Sequence, residues 1–224
     1  MKVFLIPGLG YDCRIFEKLD LRYLDIIQLN WIEPEREESL SQYALRFFKQ
    51  ASATSDKIML IGHSMGGMLA QEIAAVYNID SIILVSSLKS RKELPFIFKT
   101  LKPLGLHQLV TKKLMLKSFK LWANAHDFKT EALKSLFVSM TQKLTNNYLQ
   151  WALRELSAWQ RPKLTGKTKV FHIHGNKDKT LPYGLIENPN FTIKGGSHIC
   201  LLTQANEVSQ AIQACIEESK LNSK

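Results

Sequence analysis

A single serine stands among glycines in the segment IMLIGHSMGGMLAQEIA, residues 58–74. Ser64 lies in the pattern G-x-S-x-G, between an apolar run typical of a strand and a run typical of a helix. Glycine at the start of a helix costs about 1 kcal/mol relative to alanine. A sharp turn that needs small neighbours explains Gly62 and Gly66, and it would present the serine hydroxyl as a nucleophile. The alternative interpretation is a glycine-rich turn with an exposed serine.

A serine nucleophile needs a base, and the base needs a carboxylate that orients it. His198 lies in KGGSHICL, after one strand-like run, and Asp178 lies in HIHGNKDKTLP, after another. We expect both at the sheet edge where Ser64 lies, and we predict that these three are the catalytic residues. A surface-loop aspartate and a capping or core histidine are the alternatives. Glu93 and Glu187 fit less well, because Glu93 lies well inside an inserted segment and Glu187 comes too late in the chain.

The tetrahedral intermediate of acyl transfer needs hydrogen-bond donors for its oxyanion. We predict that these are the backbone N–H groups of Leu9, in the PGLG loop, and of Met65, which follows the nucleophile. Tyr11 and His63 are weaker candidates for substrate contact. Tyr11 either lines an acyl pocket or packs the loop down. His63 has packing or hydrogen bonding as its alternative, because adjacent residues on a tight turn point apart.

The remaining histidines and cysteines carry no clear metal pattern. His172 and His174 lie two apart on one strand face, a spacing that can bind metal, but the sequence offers no third ligand. We therefore expect core or pocket-edge positions for both, no metal and no organic cofactor. The three cysteines are far apart and odd in number, which is typical of free thiols in a cytoplasmic protein.

Strand-like and helix-like runs alternate along most of the 224-residue chain. Strands are predicted over 3–6, 25–29, 57–61, 81–85, 169–174 and 190–194, and helices over 39–52, 65–77 and 204–220. Several of the strands are continuous apolar runs, which are typical of strands buried on both faces. The pattern therefore predicts an α/β fold with a mostly parallel sheet and helices on both faces.

A helical segment without clear strands, residues 89–162, interrupts this alternation and divides the core into 1–88 and 163–224. Residues 89–169 contain seventeen Lys or Arg and four Asp or Glu, whereas the rest contains thirteen and sixteen. Residues 89–169 thus hold all the excess positive charge of a chain whose net charge is +10. A solvated charged face is one interpretation. An anionic substrate, an acidic carrier protein or a lipid surface are the others, since KKLMLKSFKLW, residues 112–122, mixes lysines with apolar residues. No nucleic-acid partner is expected, because no binding motif is present.

The motifs GHSMGG, HGNKD and GGSH, in the order serine, aspartate, histidine, resemble the α/β-hydrolase family over nearly the whole chain. The resemblance implies that residues 89–162 form a helical lid and that the antiparallel strands of larger members are missing. It also implies a serine hydrolase that cleaves a carboxylic ester or thioester through an acyl-enzyme. C–C bond hydrolases, haloperoxidases, lyases and acyltransferases share the fold, and a non-catalytic binding protein is a further alternative.

Two features depart from the family pattern. The oxyanion loop begins Pro7-Gly8 where many relatives have His-Gly. The interval between Asp178 and His198 leaves room for one strand only, which predicts a shortened sheet edge.

Overall fold

A computed structural model describes residues 1–49, 51, 57–164 and 168–221. One sheet of six parallel strands has the order β2-β1-β3-β4-β5-β6. The strands are β1 Lys2–Ile6, β2 Asp25–Gln28, β3 Ile58–His63, β4 Ser81–Val85, β5 Lys169–Gly175 and β6 Phe191–Ile193. Each lies within two residues of a strand predicted from the sequence. In the described part of the chain no antiparallel strand pairs with the sheet, as the resemblance implied.

The helices lie at α1 Leu40–Lys49, α2 Met65–Ala74, α3 Phe96–Thr100, α4 Lys112–Trp122, α5 Glu131–Thr141, α6 Asn146–Ala158, α7 Cys200–Thr203 and α8 Ala205–Leu221. The helix predicted over 39–52 corresponds to α1, and its predicted end at Ser52 lies outside the described residues. The helix predicted over 65–77 ends earlier, at Ala74. The short helix α7 was not predicted.

Alternate side chains of the central strands enter two separate apolar layers. Val3, Leu5 and Ile61 belong to the layer that includes α8, whereas Phe4 and Leu60 belong to the layer that includes α1 and α2. All residues of β3 and β4 are buried. Helices therefore cover both faces of a parallel sheet, and this confirms the predicted fold class.

Helix α6, which lies inside the predicted lid, packs against the core. The ring of Trp151 lies 4.3 Å from that of Tyr43 on α1, measured between centroids. The Trp151 indole N–H donates to the Glu38 carbonyl at 2.7 Å, and Trp159 donates to the Glu72 carboxylate at 2.8 Å. The segment between β4 and β5 is therefore held to the core at its carboxyl end.

Helices α3 and α4 are much less buried. No residue of α3 is buried, and Phe119 alone is buried in α4. Among the described residues, no helix combines the length and apolar character that crossing a bilayer requires. Cys13, Cys200 and Cys215 are free thiols, and all three are buried.

Candidate active site

Ser64 stands at a strained turn between β3 and α2. Its backbone φ is 52°, in a region that residues other than glycine rarely adopt. Its N–H donates to the Val85 carbonyl at 3.0 Å. A Cβ atom on Gly66 would lie 2.2 Å from the Ile6 carbonyl oxygen, and one on Gly62 would lie 2.5 Å from the Gly67 backbone. The glycines are therefore required by close backbone contacts around the serine.

Ser64, His198 and Asp178 form one hydrogen-bonded line. His198 Nε2 lies 3.0 Å from Ser64 Oγ, and His198 Nδ1 lies 2.7 Å from Asp178 Oδ2. Because a carboxylate only accepts, Nδ1 carries the proton, and Nε2 of the neutral ring can accept the serine proton. The structure thus brings together the three residues that the sequence predicted as catalytic.

The Asp178 carboxylate is buried and well supplied with donors. Its Oδ1 accepts from the backbone N–H groups of Thr180 and Leu181, each at 2.8 Å. Burial alone would raise the pKa of Asp178, but the charge and hydrogen bond of His198 outweigh it and hold the pKa below its ordinary value. A carboxylate that stays ionised can orient the imidazole and stabilise its protonated form.

The loop after β1 lies directly against Ser64. A Cβ on Gly8 would be 2.8 Å from the Ser64 Cβ, so only glycine allows this approach. The N–H groups of Leu9 and Met65 donate to no group of the described chain. Met65 also begins α2, whose amino-terminal end favours negative charge. Both predicted oxyanion donors are therefore free beside the serine.

Ser64 and His198 open into a mostly apolar cavity of about 450 Å³. Its walls come from the loop after β1, from the loops that carry the triad and from the inserted helices. The lining residues besides Ser64 and His198 are Leu9, Tyr11, Phe98, Met115, Trp122, His126, Phe128, Phe137, Leu153, Leu156, Thr180 and Ile199.

Tyr11 lines this cavity, and its ring also packs against two other rings beside it. Its ring lies edge-on to Phe137 and to His63. Its hydroxyl makes no hydrogen bond with any described residue. Burial and then the charge of Asp178 raise the pKa of Tyr11 well above its ordinary value, so the hydroxyl is a donor at neutral pH.

His63 lies beneath the site and away from the cavity. Its side chain has no exposed surface, and its Nε2 bonds to the His198 carbonyl at 3.0 Å. Burial, reinforced by the charge of His198, lowers the pKa of His63 to about 3. This position favours the packing and hydrogen-bonding interpretation over contact with substrate.

A second histidine lies close to the Asp178 carboxylate. His174 Nε2 lies 2.9 Å from the Leu181 carbonyl and 3.4 Å from Asp178 Oδ2. His174 Nδ1 faces His172 Nε2 at 3.2 Å. These histidines bond to each other and to the acid loop, and no group of three metal-ligating side chains occurs among the described residues. The sequence placed His174 in the core or at a pocket edge but missed its contact with Asp178.

The inserted segment supplies a polar residue that the sequence also missed. His126 follows α4 and lines the cavity, and its Nδ1 lies 3.1 Å from the Thr180 hydroxyl, beside the acid. No motif marks His126.

The two acids that fit the sequence pattern less well, Glu93 and Glu187, contact each other. The Glu93 carboxylate accepts a hydrogen bond from the Glu187 backbone N–H at 2.9 Å.

Comparison with known proteins assigns the chain to a family. A family model described as "Alpha/beta hydrolase family" matches residues 3–211. The chain belongs to this family. The α/β-hydrolase resemblance carried by the three sequence motifs is thereby confirmed. No curated protein matches the chain.

Solved α/β-hydrolase structures share the fold at low sequence identity. An esterase from Exiguobacterium antarcticum has a TM-score of 0.76 at 16% identity, over 97% of this chain and 92% of its own. A bromoperoxidase from Bacillus anthracis has 0.69 at 16% identity, over 96% and 91%. A meta-cleavage product hydrolase from Pseudomonas fluorescens IP01 has 0.70 at 16% identity, over 98% and 91%. These neighbours establish the fold and leave the reaction to be argued from the site.

Proposed function

We propose that this α/β-hydrolase is a serine hydrolase that cleaves a carboxylic ester or thioester through an acyl-enzyme. The observation that carries the proposal is the hydrogen-bonded line from Ser64 through His198 to Asp178, which opens into an apolar cavity. Both hydrogen bonds have the lengths that proton transfer and ring orientation require. A binding function alone would need no such arrangement.

The reaction follows from the positions of these groups. Ser64 Oγ attacks the carbonyl carbon while His198 Nε2 takes the hydroxyl proton. The carbonyl oxygen becomes an oxyanion, and the N–H groups of Leu9 and Met65 stabilise it. His198 then gives the proton to the leaving group, at the oxygen of an alcohol or the sulfur of a thiol. Ser64 is left acylated. His198 next takes a proton from a water molecule, whose oxygen attacks the acyl carbon. The bond between that carbon and Ser64 Oγ then breaks, His198 returns the proton to Oγ, and the acid leaves.

The cavity favours an apolar acyl group of moderate length. Leucine, methionine and aromatic side chains form most of its wall, and a volume of about 450 Å³ lies in the range of small-molecule sites. The unpaired Tyr11 hydroxyl is the polar group we assign to substrate orientation. We further propose that residues 89–162 act as the lid, with α3 and α4 beside the cavity and α6 anchored to the core.

Labelling with a fluorophosphonate tests the nucleophile directly, because this reagent reacts with activated serines. We expect one adduct per chain, located on Ser64 by peptide mass, and none in Ser64→Ala. Ser135→Ala, at an exposed serine on α5, should label like the wild type. An unlabelled wild-type protein, or a label elsewhere, would contradict the assignment.

A second experiment separates acyl chemistry from the other reactions of this fold. With a p-nitrophenyl ester, hydroxylamine should intercept the acyl group and yield a hydroxamate at a rate that depends on Ser64. A lyase passes through no acyl-enzyme of this kind. Ester turnover without a trappable acyl group would contradict the proposed acyl-enzyme.

A further inference from the structure

Exposed apolar side chains are concentrated on one part of the inserted segment. Ten large apolar side chains of the described residues are exposed, and six of them lie between residues 96 and 121. Leu121 exposes 87% of its surface and Phe96 exposes 79%. The other four are Ile97, Leu104, Leu109 and Leu114. Scattered exposed apolar residues are normal, but a cluster in one short segment indicates an interaction surface.

The same segment is strongly basic and lacks acids. Residues 94–126 contain six lysines and no aspartate or glutamate. On α4, Lys113, Lys117 and Lys120 fall on the same face as Leu114 and Leu121, since all five positions lie within about 120° at 100° per residue. None of these three lysines forms an ion pair with a described residue. We call these five residues, with Phe96 and Ile97 of α3, the basic apolar surface.

The helices that carry this surface also contribute to the wall of the cavity. Met115 and Trp122 lie on the opposite face of α4, and Phe98 lies next to Ile97 on α3; all three line the cavity. The exposed apolar side chains and part of the cavity wall therefore belong to the same two helices, α3 and α4.

We propose that the basic apolar surface binds an anionic lipid bilayer, with leucine and phenylalanine among the acyl chains and lysines at the head groups. Amphipathic helices of this composition lie at such interfaces, and lysine stems extend so that their charges stay in water. The substrate would then be an ester of a membrane-borne lipid, a statement that rests on the proposed hydrolase function. The binding itself does not depend on catalysis.

Charge favours a lipid surface over a protein partner. A second copy docked face to face would oppose two sets of unpaired lysines, which repel each other. Lysine is also depleted from the buried centre of protein interfaces, whereas here it alternates with the exposed leucines. A bilayer accommodates both side-chain types at different depths.

Co-sedimentation with vesicles tests the proposal. Vesicles of phosphatidylcholine with about one third phosphatidylserine should bind the wild type and Ser64→Ala equally, and 0.5 M salt should weaken binding at least about tenfold. Lys113→Gln/Lys117→Gln/Lys120→Gln and Leu114→Asn/Leu121→Asn should each lose at least about tenfold in affinity. Control variants outside the surface, Lys177→Gln/Lys194→Gln/Lys220→Gln and Leu185→Asn, should bind like the wild type.

Several outcomes would overturn the inference. Equal binding to pure phosphatidylcholine, no binding to any vesicle, or equal losses in the control variants would each exclude the proposed surface. A wild-type dimer that Leu114→Asn/Leu121→Asn converts to a monomer would assign the surface to a second copy. A wild-type protein that binds these vesicles but turns over no ester would count against the hydrolase proposal alone.

Discussion

Among the single residues, Asp178 decides how His198 is held beside Ser64. The carboxylate accepts one hydrogen bond from the imidazole and two from backbone N–H groups, and it stays ionised in a buried position. It therefore fixes the ring with Nε2 toward Ser64. An amide at this position could keep the backbone bonds but would present an N–H to His198 Nδ1, and the ring would change tautomer.

Asp178→Asn should consequently lower kcat by about 10³- to 10⁴-fold on any ester that the wild type cleaves, while the fold is kept. The measurement is a steady-state assay with circular dichroism of both proteins. Asp20→Asn, at an exposed aspartate paired with Arg22, serves as the control and should keep full activity. A loss smaller than about tenfold would show that Asp178 does not orient the base.

The sequence predicted some site residues and missed others for a physical reason. Ser64, Asp178 and His198 each follow a strand at the same sheet edge. The alternation of strands and helices in the sequence therefore predicts that the three residues meet at that edge. His126 lies in a helical segment, and helical periodicity does not tell which end of a helix meets the acid loop. The contact of His174 with Asp178 depends on the path of the loop between them, which no spacing encodes.

At the scale of elements, the sharp passage from β3 to α2 depends on small residues. Gly66 brings α2 against the end of β1, where a Cβ would lie 2.2 Å from a carbonyl oxygen of the backbone. The backbone on both sides belongs to the core and has little room to move. Overpacking in such a position typically costs about 1–3 kcal/mol.

Gly66→Ala should therefore lower the free energy of unfolding by about 2–3 kcal/mol or more, measured by urea denaturation. Gly184→Ala is the matched control, because a Cβ there meets no atom within 4 Å. Its effect on the free energy of unfolding should be within about 0.5 kcal/mol. Equal stabilities of the two variants would show that the turn tolerates a side chain.

The sequence predicted the strands better than it predicted how the inserted helices pack. Continuous apolar runs correctly predicted the central strands β1, β3 and β4, because strands buried on both faces have this pattern. The lid prediction grouped α6 with α3 and α4, since all three are helical and follow β4. The packing of Trp151 and Trp159 on the core distinguishes α6 from α3 and α4. Helical periodicity in a sequence identifies an apolar face but does not tell which surface that face packs against.

At the scale of the whole molecule, buried neutral histidines link stability to pH. Burial lowers the pKa of His63 and of His172 to about 3. Histidines of an unfolded chain titrate near pH 6.5. Below that pH the unfolded state binds more protons than the folded state, so stability falls as the pH drops, until the folded protein is protonated near pH 3.

We predict a loss that approaches about 1.4 kcal/mol per histidine for each pH unit below about pH 5.5, read from urea unfolding at several pH values down to pH 4.5. His172→Gln should reduce the slope of stability against pH by the share of one histidine, whatever it does to stability at pH 7. Asp178, whose pKa is lowered, adds acid sensitivity only below its ordinary range near pH 4. Constant stability from pH 7 to 4.5 would contradict the neutral buried state of these histidines.

The central proposal is that this protein cleaves an acyl ester in an apolar cavity, with Ser64 as the nucleophile. The most direct measurement is the hydrolysis of p-nitrophenyl esters, from acetyl to long acyl chains, by the wild type and by Ser64→Ala in parallel. We predict turnover by the wild type with an optimum at medium acyl length, and its loss in a Ser64→Ala protein with an unchanged thermal unfolding temperature. Full activity of the variant, or no turnover of any ester by a folded wild-type protein, would contradict the proposed function.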